Sequence, residues 1–147
     1  MVIIDASVAV KWYVAEAGHA EARAIMADAN ELLAAPDIIV TEVANALRRK
    51  VTEGTATRAQ ALSALDDPPL CFSRIIPSAT TSRVAFDLAL RHPFPDCVTL
   101  ACAAMNDASL VTDDRKFFEN AVANGHKSRI VLLADWKPRG PRGEIAS

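Results

Sequence analysis

Four acidic residues in this chain stand where they could do chemistry together. Asp5 directly follows the short apolar run Val2–Ile4, and Asp114 comes shortly after a second apolar run, LVT. Asp96 opens the evenly apolar stretch CVTLACAAM, and Glu42 lies on the margin of a helix with an apolar stripe. Carboxylates that are held close together repel, and each ionised neighbour raises the pKa of the others. We therefore expect a cluster of this kind to hold a cation.

The ligand types predict which cation this would be. Oxygen ligands without cysteine or histidine nearby favour Mg²⁺ or Mn²⁺ over zinc. The histidines, His19, His92 and His126, show no ligand spacing, and the three cysteines contain no CxxC pair. Mg²⁺ and Mn²⁺ bind phosphate oxygens and lower the pKa of a bound water, so the acids predict phosphodiester hydrolysis.

Each acid also has a simpler structural explanation. Asp96 and Asp114 could cap the helices that follow them, and Asp5 could cap a helix that begins near Ser7. Glu42 could be a solvated residue at the edge of its helix. The shared site is favoured only by the joint placement of all four around one crevice.

Short apolar runs alternate with helical patterns, which predicts an α/β fold with a mainly parallel sheet of about four to five short strands, covered by helices on both faces. Such sheets bind ligands beyond the carboxyl ends of their strands, where Asp5 and Asp114 would project. The predicted strands are Val2–Ile4, Leu32–Ala35, Leu70–Ile76, Leu110–Thr112 and Ile130–Leu133. The predicted helices are Ala6–Ala15, His19–Asn30, a helix capped by Asp37 and running to Thr52, one capped by Thr57 and running to Leu65, Ser78–Arg91, Asp96–Asn106 and Asp114–Asn124, with Pro93 and Pro95 as breakers.

Length and composition predict one soluble domain. The 147 residues fit a single domain over residues 1–136 with a flexible basic tail at 137–147, and a hydrophobic content of 51% is enough for a core. The formal charge of -2 argues against wrapping nucleic acid by bulk attraction, so any such contact must be local. The apolar opening lacks a basic start, and no run approaches the roughly 20 apolar residues of a membrane span. These features predict a cytoplasmic protein without a membrane association.

Four sequence blocks occur in a fixed order over nearly the whole chain: IIDASV, TEVANAL, FPDCVTLACA and LVTDDRKF. Together they resemble the PIN-domain nucleases, specifically the VapC-type toxins of bacterial toxin–antitoxin pairs. The resemblance implies a three-layer α/β/α sandwich and a Mg²⁺- or Mn²⁺-dependent endoribonuclease that hydrolyses RNA with metal-activated water. It also implies that the catalytic and metal-binding residues are Asp5, Glu42, Asp96 and Asp114.

The resemblance further implies residues that orient the carboxylates or a metal-bound water: Ser7, Thr112, Asn45 and Asp113. The T-x-D spacing of the family selects Asp114 rather than Asp113 as the fourth acid, although the adjacent acid could share its role. Lys11 and Arg115 lie near matched acids and could contact RNA phosphate, or they could be solvated surface cations.

Family members pair as homodimers and are inhibited by a VapB-type antitoxin that occupies a groove formed by the early helices. Trp12 and Tyr13 could line this groove or belong to the core. The alternative within the resemblance is a catalytically weak PIN-like RNA-binding or regulatory protein.

Other α/β classes fit the sequence less well. A signalling receiver needs an acid beside Asp5, and an aspartyl-phosphate phosphatase needs aspartate in place of Ser7. A dinucleotide-binding protein needs a glycine-rich turn after the first strand.

Overall fold

Five short parallel strands form the central sheet of this protein, seen in a computed structural model that describes residues 1–67, 71–88 and 91–138. Most of the predicted basic tail, residues 139–147, lies outside this description. The sheet order is β3-β2-β1-β4-β5, so the first strand of the chain is central, and all neighbouring strands are parallel. The prediction of a mainly parallel sheet of four to five strands is confirmed. The strands are β1 (Val2–Ile4), β2 (Leu33–Pro36), β3 (Arg74–Ile76), β4 (Ser109–Thr112) and β5 (Ile130–Leu132).

Seven α-helices connect these strands in the described part of the chain, together with 3₁₀ turns at Val10–Trp12, Lys127–Arg129 and Leu133–Asp135. Within the described residues no helix is both long and apolar enough to cross a bilayer. The helices are α1 (Ala6–Ala9), α2 (His19–Ala27), α3 (Ile39–Glu53), α4 (Arg58–Leu65), α5 (Ser78–Asp87), α6 (Phe94–Met105) and α7 (Arg115–Ala123).

The central strand β1 is buried on both faces because its alternate side chains pack into two separate cores. Ile4 of β1 packs with residues of α1, α2 and α3, whereas its neighbour Ile3 packs against α6 and α7. A smaller cluster joins α5 to α6. Helices therefore cover both faces, as the three-layer α/β/α prediction requires. Cys97 and Cys102 are buried free thiols that pack within these clusters.

Two predicted helix starts are wrong, one because of a tertiary contact and the other because of proline. The backbone N–H of Asp37 donates to Ile76 at 2.9 Å and so extends the β2–β3 pairing, and α3 begins only at Ile39, without a side-chain cap. The Asp96 helix begins earlier than predicted, because Pro93 precedes its first residue and Pro95 occupies its first turn. Proline is tolerated there since those positions need no N–H partner, so these prolines start the helix instead of breaking it.

Other boundaries differ in length. α1 covers only Ala6–Ala9 before the 3₁₀ turn, so the predicted helix to residue 15 is too long. β3 is shorter than the predicted strand from residue 70, which itself lies outside the described residues. The predicted capping of α4 is confirmed: Thr57 Oγ1 accepts from the Gln60 backbone at 3.1 Å, and Gln60 Oε1 accepts from the Thr57 backbone. Gly54 ends α3 with φ +80°, as predicted.

Candidate active site

All four predicted acids line one cavity at the carboxyl ends of the central strands. Asp5 follows β1, Asp114 comes two residues after β4, Asp96 lies in the first turn of α6, and Glu42 lies in the first turn of α3. The cavity has a volume of about 360 Å³. The other predicted residues that line it are Ser7, Lys11, Asn45 and Asp113.

Two hydroxyl groups hold Asp5 in place. Ser7 Oγ donates to Asp5 Oδ2 at 2.6 Å, and Thr112 Oγ1 donates to the same oxygen at 2.8 Å. The same hydroxyls accept from the loop that follows β4: Asp113 N donates to Ser7 and Asp114 N to Thr112. Ser7 and Thr112 therefore tie the ends of β1 and β4 together and orient a carboxylate that is only 4% exposed.

Asp114 has two roles, because the capping interpretation also holds for it. Its Oδ1 accepts from Phe117 N at 3.0 Å as the N-cap of α7, while the residue lines the cavity. Asp5 stands at the N-cap position of α1 but makes no capping bond with its side chain, and no such bond is found for Asp96 among the described residues.

We expect Asp114→Asn and Asp114→Ala to separate these two roles. Both changes remove the charge, but asparagine is as good an N-cap as aspartate and alanine is not. Without metal, the asparagine variant should be as stable as the parent protein or more stable. The alanine variant should lose about 1 kcal/mol relative to the asparagine variant. Urea denaturation in chelator measures both, and equal stabilities would contradict a cap at this position.

His92 is a site residue that the sequence reasoning missed. Its Nε2 lies 2.7 Å from Asp96 Oδ2, so the premise of a site without a nearby histidine is wrong. His92 precedes α6, whose first turn presents Asp96 four residues later, and this i,i+4 spacing is the signal that could have indicated the contact. The ring also stacks on buried Phe117 with centroids 5.2 Å apart. One ligand atom from each of His92, Asp96 and Asp114 lies within 4.8 Å of the others, a spacing that could hold a metal ion.

Glu42 faces the acids with an atom that lacks a partner. Its Oε1 is buried and forms no hydrogen bond with any described residue. Burial raises the pKa of Glu42 to about 7, and the charges of Asp5 and Asp96 add to the shift. The interpretation of Glu42 as a solvated edge residue is therefore wrong, since its side chain carries a desolvated oxygen toward like charges.

Asp5 and Asp96 show the same effects of burial and neighbouring charge. Burial raises the pKa of Asp5, with the Asp114 charge adding to the effect and the hydrogen bonds from Ser7 and Thr112 opposing it. Burial also raises the pKa of Asp96 to about 6; the Asp5 charge contributes in the same direction and His92 opposes it. A divalent cation among these carboxylates would relieve both the repulsion and the loss of hydration.

The interpretation of Lys11 as a solvated surface cation is wrong. The side chain is buried, and its Nζ donates to Glu16 at 3.2 Å and to the Ala17 carbonyl at 2.7 Å. It also pairs with Asp113 Oδ2 at 3.1 Å, so the carboxylate of Asp113 is engaged beside the quartet. Glu16 pairs with Lys50 as well. Arg115 is exposed at the start of α7 and does not line the cavity.

The two aromatic residues of the predicted groove differ in their surroundings. Trp12 is 3% exposed and its Nε1 donates to the Ala22 carbonyl at 2.9 Å, so it belongs to the core. Tyr13 is half-buried, edge-on to Trp12, with its hydroxyl 3.5 Å from Cys71 Sγ.

The fold and cavity define a parallel α/β domain with clustered acids at the ends of its central strands. Residues 2–123 match the sequence profile of the PIN domain, and the chain belongs to the PIN domain family. The resemblance to PIN domains seen in the four sequence blocks is thereby confirmed. Comparison with curated protein sequences gives no significant match.

Two solved structures share this fold. The VapC20 toxin of Mycobacterium tuberculosis, described as cleaving the sarcin–ricin loop, superposes with a TM-score of 0.65 and 17% identity over 85% of this chain and 95% of its own. The PAE2754 protein of Pyrobaculum aerophilum gives a TM-score of 0.63 and 22% identity over 90% of this chain and 83% of its own. At these identities the likeness concerns the fold.

Proposed function

We propose that this protein is a Mg²⁺- or Mn²⁺-dependent endoribonuclease that acts as the toxin of a type II toxin–antitoxin system. The observation that carries the proposal is the convergence of four carboxylates from separate chain segments on one cavity, with Glu42 Oε1 left without a partner among the described residues. Membership of the PIN domain family and the fold shared with a VapC toxin support it.

The residues present fit a divalent cation. Asp5, Glu42, Asp96 and Asp114 would hold it through carboxylate oxygens, the ligands that Mg²⁺ and Mn²⁺ prefer. When bound, such an ion stabilises negative charge on a phosphate oxygen and lowers the pKa of a coordinated water. The His92 ring would keep Asp96 in a fixed orientation, since outer partners of metal ligands commonly do so.

The chain's own contribution is to hold the carboxylates rigidly before substrate arrives. Ser7 and Thr112 fix one oxygen of Asp5, and the N-cap bond fixes one oxygen of Asp114. Asn45 offers an amide on the cavity wall that could bind a phosphate or ribose oxygen. Water attack on an RNA phosphodiester in this cavity would leave a 5′-phosphate and a 3′-hydroxyl.

The remaining expectations belong to the same proposal. RNA is the substrate, a VapB-type antitoxin is the inhibitor, the active form is a homodimer, and the protein acts in the cytoplasm as a single domain over residues 1–136. The VapC20 description supports an RNA target in general, without assigning a target to this chain.

The direct test is to incubate the purified protein with total RNA and Mn²⁺ or Mg²⁺, and to sequence the new ends. We expect discrete 5′-phosphate ends that are absent in chelator. A protein that binds RNA but produces no such ends with either ion would favour the alternative, a catalytically weak PIN-like RNA-binding or regulatory protein. Full cleavage in excess chelator would contradict the metal-dependent chemistry.

A further inference from the structure

A second depression continues from the acidic cavity along the exposed face of α3. It has a volume of about 260 Å³ and is lined by Asn45, Arg48, Arg49 and Thr52. Asn45 and Arg49 line both depressions, so the two are continuous at these residues. Glu42 at one end and Arg49 are seven positions apart on the same helix, and they therefore lie on the same face.

The cations along this wall are not equivalent. Lys11 and Lys50 are engaged by Glu16, and Lys11 also pairs with Asp113. Arg48 and Arg49 are exposed, and no carboxylate among the described residues lies within ion-pair distance of either guanidinium. The two arginines thus present unneutralised positive charge at the end of an acidic cavity, in a chain whose formal charge is -2.

We propose that Arg49, assisted by Arg48, binds a backbone phosphate of single-stranded RNA beside the bond that is cut. The inference rests on the proposed function, because it needs a phosphodiester chain to enter the acidic cavity. Seven residues of helix place Arg49 about 10 Å along the axis from Glu42, so it would contact a neighbouring phosphate instead of the scissile one. Guanidinium groups suit this task because their planar fork binds phosphate oxygens in pairs.

This arrangement resolves the electrostatic problem of the site. Four carboxylates repel an incoming RNA chain, and the protein has no overall positive charge to offset the repulsion. Two free arginines on one side would hold the RNA in a fixed direction along α3. The RNA strand would then run from the acidic cavity past Asn45 to Arg49 and Thr52.

The test measures the salt dependence of RNA binding in an Asp5→Asn background with chelator, so that cleavage does not interfere. A short fluorescent single-stranded RNA is titrated by anisotropy at several KCl concentrations. Each phosphate contact in a single strand contributes about 0.7 to the slope of log affinity against log salt. Adding Arg49→Ala should lower the magnitude of the slope by about 0.7. Between about 50 and 200 mM salt, the loss of affinity should then be roughly 2.5-fold smaller in this variant than in the Asp5→Asn protein.

Matched variants make the result specific. Arg49→Lys should retain the slope because it retains the charge, and Arg48→Ala/Arg49→Ala should lose more than the single change. Arg23→Ala, an exposed arginine on α2 that lines neither depression, should leave the slope unchanged. An unchanged slope in the double variant, an equal effect of Arg23→Ala, or no salt-dependent binding in the Asp5→Asn background each overturns the inference.

The inference and the proposed function can fail separately. If the native protein produces metal-dependent RNA ends and the double arginine variant binds with an unchanged slope, only the phosphate contact is wrong. If binding depends on the arginines but the native protein does not cleave with Mg²⁺ or Mn²⁺, the nuclease proposal is wrong. Stronger binding of an acidic peptide than of RNA by the same arginines would assign the depression to a protein partner and overturn the RNA contact.

Discussion

Asp5→Asn is expected to abolish metal-dependent RNA cleavage while the fold is retained. The change removes the charge of the most buried acid in the cavity, yet the amide oxygen can still accept from Ser7 and Thr112. Removing a single preorganised electrostatic group from an active site typically costs about 10²–10³-fold in rate, and we expect at least this loss. Initial cleavage rates with saturating Mn²⁺ measure the effect.

The stability of the same variant provides an internal check. Because burial raises the pKa of Asp5, its charge is unfavourable in the metal-free fold, so Asp5→Asn should melt at the same temperature or higher in chelator. Asp87→Asn, at an exposed position ending α5, is the matched control and should leave activity unchanged. Native-like cleavage by Asp5→Asn would remove the basis of the metal-site proposal.

Glu42→Gln should change how the stability of the metal-free protein depends on pH. The pKa of Glu42 is raised to about 7 from an ordinary value of 4.5, so folding favours its protonated form. The contribution of Glu42 to stability is therefore fully present below pH 4.5 and is lost as the pH rises through 7. Glutamine resembles the protonated acid, so the Glu42→Gln variant keeps this contribution to stability as the pH rises.

The expected result is a stability difference that grows with pH. In chelator, the two proteins should be similar near pH 4.5, and Glu42→Gln should become more stable by about 1–3 kcal/mol above pH 7, a range reduced for the partial exposure of the side chain. Urea denaturation across this range measures this difference, because titrating groups outside the cavity contribute equally in both proteins. A native protein that gains stability over the variant as the pH rises would contradict the repulsive cluster.

Added Mn²⁺ should narrow this difference. A ligand that binds only the folded state stabilises it by about 2.7 kcal/mol at a hundredfold excess over its dissociation constant. The native protein should gain this stabilisation, and Glu42→Gln should gain less because it lacks one ligand. Equal gains in both proteins would place the ion away from Glu42.

The sequence predicted the sheet and the cavity acids because both depend on local patterns. The run Val2–Ile4 is buried on both faces, and such runs end at the sheet edge where Asp5 lies. The class of fold then brings Asp114 to the same edge, because β4 lies parallel beside β1. Parallel pairing therefore made the meeting of two distant aspartates predictable.

The contacts that refine the site depend on tertiary geometry that periodicity does not reveal. The i,i+4 spacing of His92 and Asp96 allows their contact, but the ring is held there by stacking on Phe117 from another helix. The burial of Lys11 depends on the loop that carries Glu16 folding over it. From the sequence alone, either side chain could equally lie exposed on the surface. Packing between separate helices and loops determines that both are held in the site.

The position of β1 in the middle of the sheet has a consequence for how the protein is made. Its neighbour β4 lies 107 positions later in the chain, and the bond from Thr112 to Asp5 spans the same distance. A nascent polypeptide therefore cannot finish the centre of the sheet until nearly the whole domain has left the ribosome, and such long-range pairing folds slowly. Incomplete translation products lack the neighbours that align Asp5, so the cavity with its four acids forms only in the finished domain.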